Sequence, residues 1–173
     1  MKKYYYNSHY LDSNDISTVI DSLKRDTLSQ GSYQKLLEEK IKKRFNVKYC
    51  IAVSSATAGL HLAYKSLGLK KNDYIITSTM TWNATTNAAI FCNATSKLVD
   101  ISEKNFCIDP KKLENFIIKA KKKPKIIVPV HFGASLCNLR KISQIAKKFK
   151  IRVVEDASQA MGASYGKNII GSC

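Results

Sequence analysis

Ile151-Arg-Val-Val-Glu155-Asp156-Ala-Ser-Gln159-Ala-Met-Gly162 reads as a short buried strand, Ile151 to Val154, that delivers an acid pair at its carboxyl end. Open α/β sheets place their ligands in the crevice beyond the carboxyl ends of the strands. A carboxylate fixed there is a candidate ligand group, and Gln159 follows three residues later. Together they suit a cationic heteroaromatic ligand.

Outward from this stretch, apolar spacing alternates between helix and strand periods. Upstream lie a helix over Leu139–Phe149, a strand over Lys125–Val130, and a helix opened by Asp109-Pro110 in the N-cap and N1 arrangement. Further back come a strand over Lys97–Val99, a helix over Asn83–Phe91 and a strand over Tyr74–Thr77. A helix carrying Leu60, Tyr64 and Leu67 stops at Gly68, and the apolar run Tyr49–Val53 reads as the strand before it. Two amphipathic helices lead the chain. Ile16, Val19, Ile20 and Leu23 mark the first, with Ser13 or Asn14 as its cap; Leu37, Ile41 and Phe45 mark the second, after the loop Leu28–Gly31. Strands separated by helices of ten to fifteen residues predict βαβ crossovers and a largely parallel sheet. Tyr165 to Gly171 reads as a turn or hairpin.

Composition narrows the class. With 173 residues, 45% apolar and 24% charged, the chain has the make-up of an ordinary globular domain. It can bury roughly two thirds of its unfolded surface. No apolar stretch approaches the ~20 residues of a membrane-spanning helix. The start, Met1 to Asn7, is basic but lacks the apolar run of a signal peptide. Five cysteines, at 50, 92, 107, 137 and 173, are odd in number and free of any Cys-x-x-Cys pair. That spacing speaks against a disulfide framework or a zinc site and predicts a cytoplasmic protein. The net charge of +16 comes from 25 Lys and only four Arg, scattered through the helices apart from 119–125. With arginine scarce and no aromatics interleaved with that run, the charge reads as a solvated lysine-rich surface and not as a nucleic-acid patch.

Three segments can carry chemistry. Ser54-Ser-Ala-Thr-Ala-Gly59 opens a helix, where unpaired N–H groups form an anion or phosphate cradle; Ser and Thr are equally the ordinary caps of a helix. Thr81-Trp-Asn-Ala-Thr-Thr-Asn87 holds the only Trp, which offers either a stacking face or a core aromatic. Asp156 is the third, open also to a capping, salt-bridging or magnesium role; no Gly-x-x-x-x-Gly-Lys-Ser/Thr loop accompanies it. Each lies just past a strand, so all three point into one crevice. A phosphorylated pyridine needs this set. The carboxylate keeps the ring nitrogen protonated, and the protonated ring withdraws electrons from the reacting carbon.

At these residues the chain resembles the DegT/DnrJ/EryC1/StrS family of pyridoxal-phosphate-dependent sugar aminotransferases, fold type I. Ser55-Ala-Thr-Ala-Gly-Leu-His61, Thr81-Trp-x-x-Thr-x-Asn87, Pro129-Val-His-Phe-Gly133 and Val154-Glu-Asp-Ala-Ser-Gln-Ala-Met-Gly162 carry the resemblance, in the family's order. It implies an α/β three-layer sandwich around a mostly parallel sheet, here the amino-terminal portion of the large domain over 1–173. The remaining sheet and the small carboxyl-terminal domain are expected outside it. By the same resemblance Thr57 and Ala58 hold the cofactor phosphate and Trp82 stacks on the pyridine. Asp156 pairs with the ring nitrogen, and Gln159 contacts the ring oxygen. His131 lies in a family motif without an assigned role. The opening helix and the 28–31 loop look most like members that aminate C4 of UDP-linked 4-keto-6-deoxy sugars.

The implied reaction moves an amino group, with glutamate as donor, to a keto group of a nucleotide sugar, in a homodimer. The family's Schiff-base lysine lies beyond the Gly171-Ser172 position, so the chain by itself is expected to be inactive. Lys167 matches a hairpin position and not that lysine. A sugar dehydratase of the same fold, with His at the lysine's place, and a non-catalytic cofactor- or partner-binding module are the alternatives.

Overall fold

A computed structural model describes residues 9–25, 27–133 and 135–172. The basic start, Met1 to Asn7, and Cys173 lie outside them. The chain divides into two compact units, 1–52 and 53–173.

The first unit holds α1 (Ser13–Leu23) and α2 (Ser32–Phe45). The cap of α1 is Asp12, one residue before Ser13 and two before Asn14, the expected caps. Its carboxylate accepts the N–H groups of Asn14 at 2.8 Å and Asp15 at 3.0 Å, and Asp15 reaches back to the Asp12 N–H at 3.1 Å. A charged acceptor with a reciprocal partner outcompetes a neighbouring hydroxyl or amide. No residue of α1 or α2 is buried. The strand expected over 49–53 does not form. Ala52 N–H, which a sheet would use, donates instead to Glu38 Oε1 at 2.9 Å.

The second unit is a four-stranded parallel sheet in the order β2-β1-β3-β4, made of β1 (Tyr74–Ser78), β2 (Thr95–Val99), β3 (Ile126–Val128) and β4 (Arg152–Val153). Four helices cover it: α3 (Ala56–Ser66), α4 (Asn83–Ile90), α5 (Pro110–Lys119) and α6 (Leu139–Phe149). Alternation along the strands sorts the core into two layers. Ile75, Ile126 and Val128 pack with Leu60 and Tyr64 of α3 and Ala88 and Ala89 of α4. Ile76 and Ile127 pack on the opposite face with Leu113 and Ile117 of α5 and Ile142 and Ile145 of α6. Both faces of β1 and β3 are therefore buried, which explains the apolar runs Tyr74–Ile76 and Ile126–Val128. This is the expected three-layer α/β sandwich.

Asp109 caps α5 with Pro110 following, as the sequence predicts, and Gly68 lies just past α3 with φ +70°. The 165–171 segment forms a short hairpin of β5 (Ser164–Tyr165) and β6 (Asn168–Ile169). Among the described residues no helix is long and apolar enough to cross a membrane.

Candidate functional site

Asp156 sits three residues past β4, where the ladder to β3 continues as a single bridge to Val130. Its N–H donates to Pro129 O at 2.9 Å, and its carbonyl accepts the His131 N–H at 3.1 Å. The backbone is thus pinned through both its N–H and its carbonyl to the segment that follows β3, and the residue is 6% exposed. The side chain is equally fixed. Oδ2 accepts the Thr85 hydroxyl at 2.9 Å, and Oδ1 accepts the Ser158 hydroxyl at 2.7 Å and its N–H at 3.3 Å. No basic side chain among the described residues is bonded to it. Burying a carboxylate with neutral donors alone is costly, and such a site suits a ligand that brings its own positive charge.

Thr85 reaches Asp156 from α4 and is fully buried. Its hydroxyl also meets Thr81 Oγ1 at 2.7 Å. A carboxylate only accepts, so Thr85 gives its proton to Asp156 and accepts the proton of Thr81. Tyr64 O–H closes the arrangement by donating to the Thr85 carbonyl at 3.1 Å. Burial, with the charge of Asp156 as a second cause, pushes the Tyr64 phenol well above its usual range.

The start of α3 comes to the same place. Ala56, Gly59 and Ala63 line a cleft of about 240 Å³ with residues 154–158, Asp156 included. Ser55 caps the helix, its Oγ accepting the Ala58 N–H at 3.2 Å. The Ala56 and Thr57 N–H groups stand in the first turn, where a helix offers them no acceptor. Trp82 is the N-cap residue of α4 and is 78% exposed. It does not line the cleft, but it adjoins Thr81 and so belongs to the turn that reaches Asp156. Gln159 is exposed and outside the lining, its Oε1 accepting the Gly133 N–H at 3.3 Å. Thr57 and Ala58 flank lining residues without being lining residues themselves.

Sequence reasoning missed Thr85, Ser158 and the His131–Glu155 contact. His131 is 1% exposed; its Nδ1 accepts the Cys137 N–H at 3.0 Å. Nε2 therefore carries the ring proton and donates to Glu155 Oε1 at 2.9 Å. The same oxygen accepts the Gly171 N–H at 3.2 Å, fastening the end of the hairpin to the acid pair. A Glu before the site acid and a His in a glycine-bearing motif were signals of such a contact, but pairing across a sheet is not visible along a chain.

A parallel sheet whose crest carries a buried acid beside a helix start defines an α/β domain of the open-sheet class, with a candidate ligand cleft at that crest. The chain belongs to the DegT/DnrJ/EryC1/StrS aminotransferase family, whose profile matches residues 9–173. It is 35% identical over 167 residues to the UDP-4-amino-4,6-dideoxy-N-acetyl-beta-L-altrosamine transaminase of Campylobacter jejuni, covering 96% of this chain and 44% of that one. Among solved structures, Helicobacter pylori PseC, an aminotransferase involved in the biosynthesis of pseudoaminic acid, superposes with a TM-score of 0.89. The match has 26% identity and covers 98% of this chain and 45% of that one. NtdA from Bacillus subtilis, solved with its bound cofactor PMP, has a TM-score of 0.80 at 29% identity, covering 89% and 36%. The chain spans 40–44% of the length of the curated relatives it matches.

Proposed function

We propose that this chain is the cofactor-binding portion of a pyridoxal-phosphate-dependent aminotransferase that acts on a keto group of a nucleotide-linked deoxy sugar. The observation that supports it most is Asp156, a buried carboxylate held by hydroxyls and an amide with no cation bonded to it among the described residues. The donor set fits a protonated pyridine, since Asp156 retains acceptor capacity after its three internal bonds. Bound there, the cofactor supplies an electron-withdrawing ring. Asp156 holds a proton at the ring nitrogen. The first-turn N–H groups around Thr57 and Ala58 hold the phosphate, Trp82 stacks on the ring, and Gln159 reaches its oxygen. The relatives' printed names support a UDP-sugar substrate. We assign glutamate as donor, a homodimer as the assembly and the cytoplasm as the location.

The base assigned here to moving the proton at the substrate carbon is the Schiff-base lysine that the family resemblance implies. Among the described residues no lysine lines the cleft. Residues 1–173 alone are therefore read as binding without turnover.

Trp82 is the single tryptophan, so its emission reports the site directly. Pyridoxamine 5'-phosphate should quench it saturably, and Asp156→Asn should weaken that binding roughly ten- to a hundredfold. The same preparation should form no amino sugar from glutamate and a UDP-linked keto sugar. Unsaturable quenching, or an Asp156→Asn protein that binds like wild type, would overturn the cofactor assignment. Amino-sugar formation would overturn the reading of these residues as a non-catalytic part.

A further inference from the structure

We propose that Thr85, backed by Thr81, is a positioning residue that aims the Asp156 carboxylate and makes the site selective for a cationic ring. The proposal rests on the cofactor reading above and extends it to residues that touch no ligand. Two distances carry it: Thr81 Oγ1 to Thr85 Oγ1 at 2.7 Å, and Thr85 Oγ1 to Asp156 Oδ2 at 2.9 Å.

The polarity of this chain is set by its anionic end, so both hydroxyl protons point toward Asp156. Ser158 restrains only Oδ1, and both its donors come from two residues away along the same turn. Among the described residues Thr85 is the one donor from another element, α4. It therefore sets the carboxylate's rotation relative to the helix that Trp82 caps. Stacking on Trp82 and pairing with Asp156 must be satisfied by one rigid ring at once, and this bond fixes the register between them. Thr85 itself is held in place, since Tyr64 anchors its carbonyl at 3.1 Å and the residue is buried. A carboxylate that loses this donor keeps its charge buried with less support and is restrained about its χ2 only through the Ser158 bonds to Oδ1.

The test compares two probes by Trp82 fluorescence. One is pyridoxamine 5'-phosphate; the other is its analogue with CH in place of the ring nitrogen, which keeps the phosphate and the stacking face. Thr85→Val should weaken the first by about tenfold and the second by less than about twofold, with Thr85→Ser restoring wild-type affinity for both. Thr81→Val should cause a smaller loss of the same selective kind, and it decides the matter if Thr85→Val does not fold. Wild-type behaviour in the valine variants, or parallel loss of both probes, would overturn the positioning role. If Asp156→Asn binds both probes as wild type does, the cofactor reading fails and this inference fails with it. If Asp156→Asn is impaired and the threonine variants are not, only this inference fails.

Discussion

Tyr64 shows how one buried side chain ties stability to the candidate site. Its ring lies in the α3–α4 layer of the core, and its hydroxyl supports the carbonyl of Thr85. Burial first, then the nearby Asp156 charge, disfavours the phenolate in the folded state. The folded pKa is thus raised above the unfolded value of about 10. The associated stability is complete below about pH 10 and is lost as pH rises through and beyond that value, because the unfolded chain releases the proton more readily. Tyr64→Phe should cost about 1 kcal/mol near neutral pH through the lost hydrogen bond. It should also flatten the alkaline decline in stability. Urea unfolding of both proteins at about pH 8 and about pH 11 measures this, and parallel declines would contradict it.

At the scale of the element, α5 is specified by its first two residues. Asp109 accepts the N–H groups of Lys111 at 2.7 Å and Lys112 at 3.2 Å, while Pro110 occupies a position that needs no donor. Asp109→Ala should lower stability by about 1 kcal/mol, read as a shift in the urea midpoint at unchanged slope. This helix start was legible in the sequence because only one residue before Pro110 can cap. At α1 three cap-forming residues stand in a row, Asp12, Ser13 and Asn14, and the choice turned on Asp15 returning the bond, which spacing alone left open. The apolar run Tyr49–Val53 looked like a strand because hydropathy does not register where a backbone N–H goes. Asp156 was legible from its place after an apolar run. Thr85 was not, since a threonine in a short helix carries no mark of what its hydroxyl meets across 71 residues of sequence.

Across the whole molecule, burial is unevenly shared. Every residue of β1 and β3 is buried, whereas α1 and α2 contain none that is. Backbone bonds open most easily where few apolar contacts hold them. Hydrogen exchange should therefore find the β1 and β3 amides protected at least about tenfold more strongly than those of α1 and α2. Equal protection would show that the first unit draws support not evident in its own burial. The acid pair has a consequence of its own. Glu155 reaches His131 and Gly171, while its neighbour Asp156 turns to Thr85. Side chains in extended chain face alternately, so the two acids form a parity check on how β4 is threaded against β3. A slip by one residue offers the shorter arm to the imidazole and the longer one to the hydroxyl. Neither reach then matches, and only one of the two threadings closes every bond.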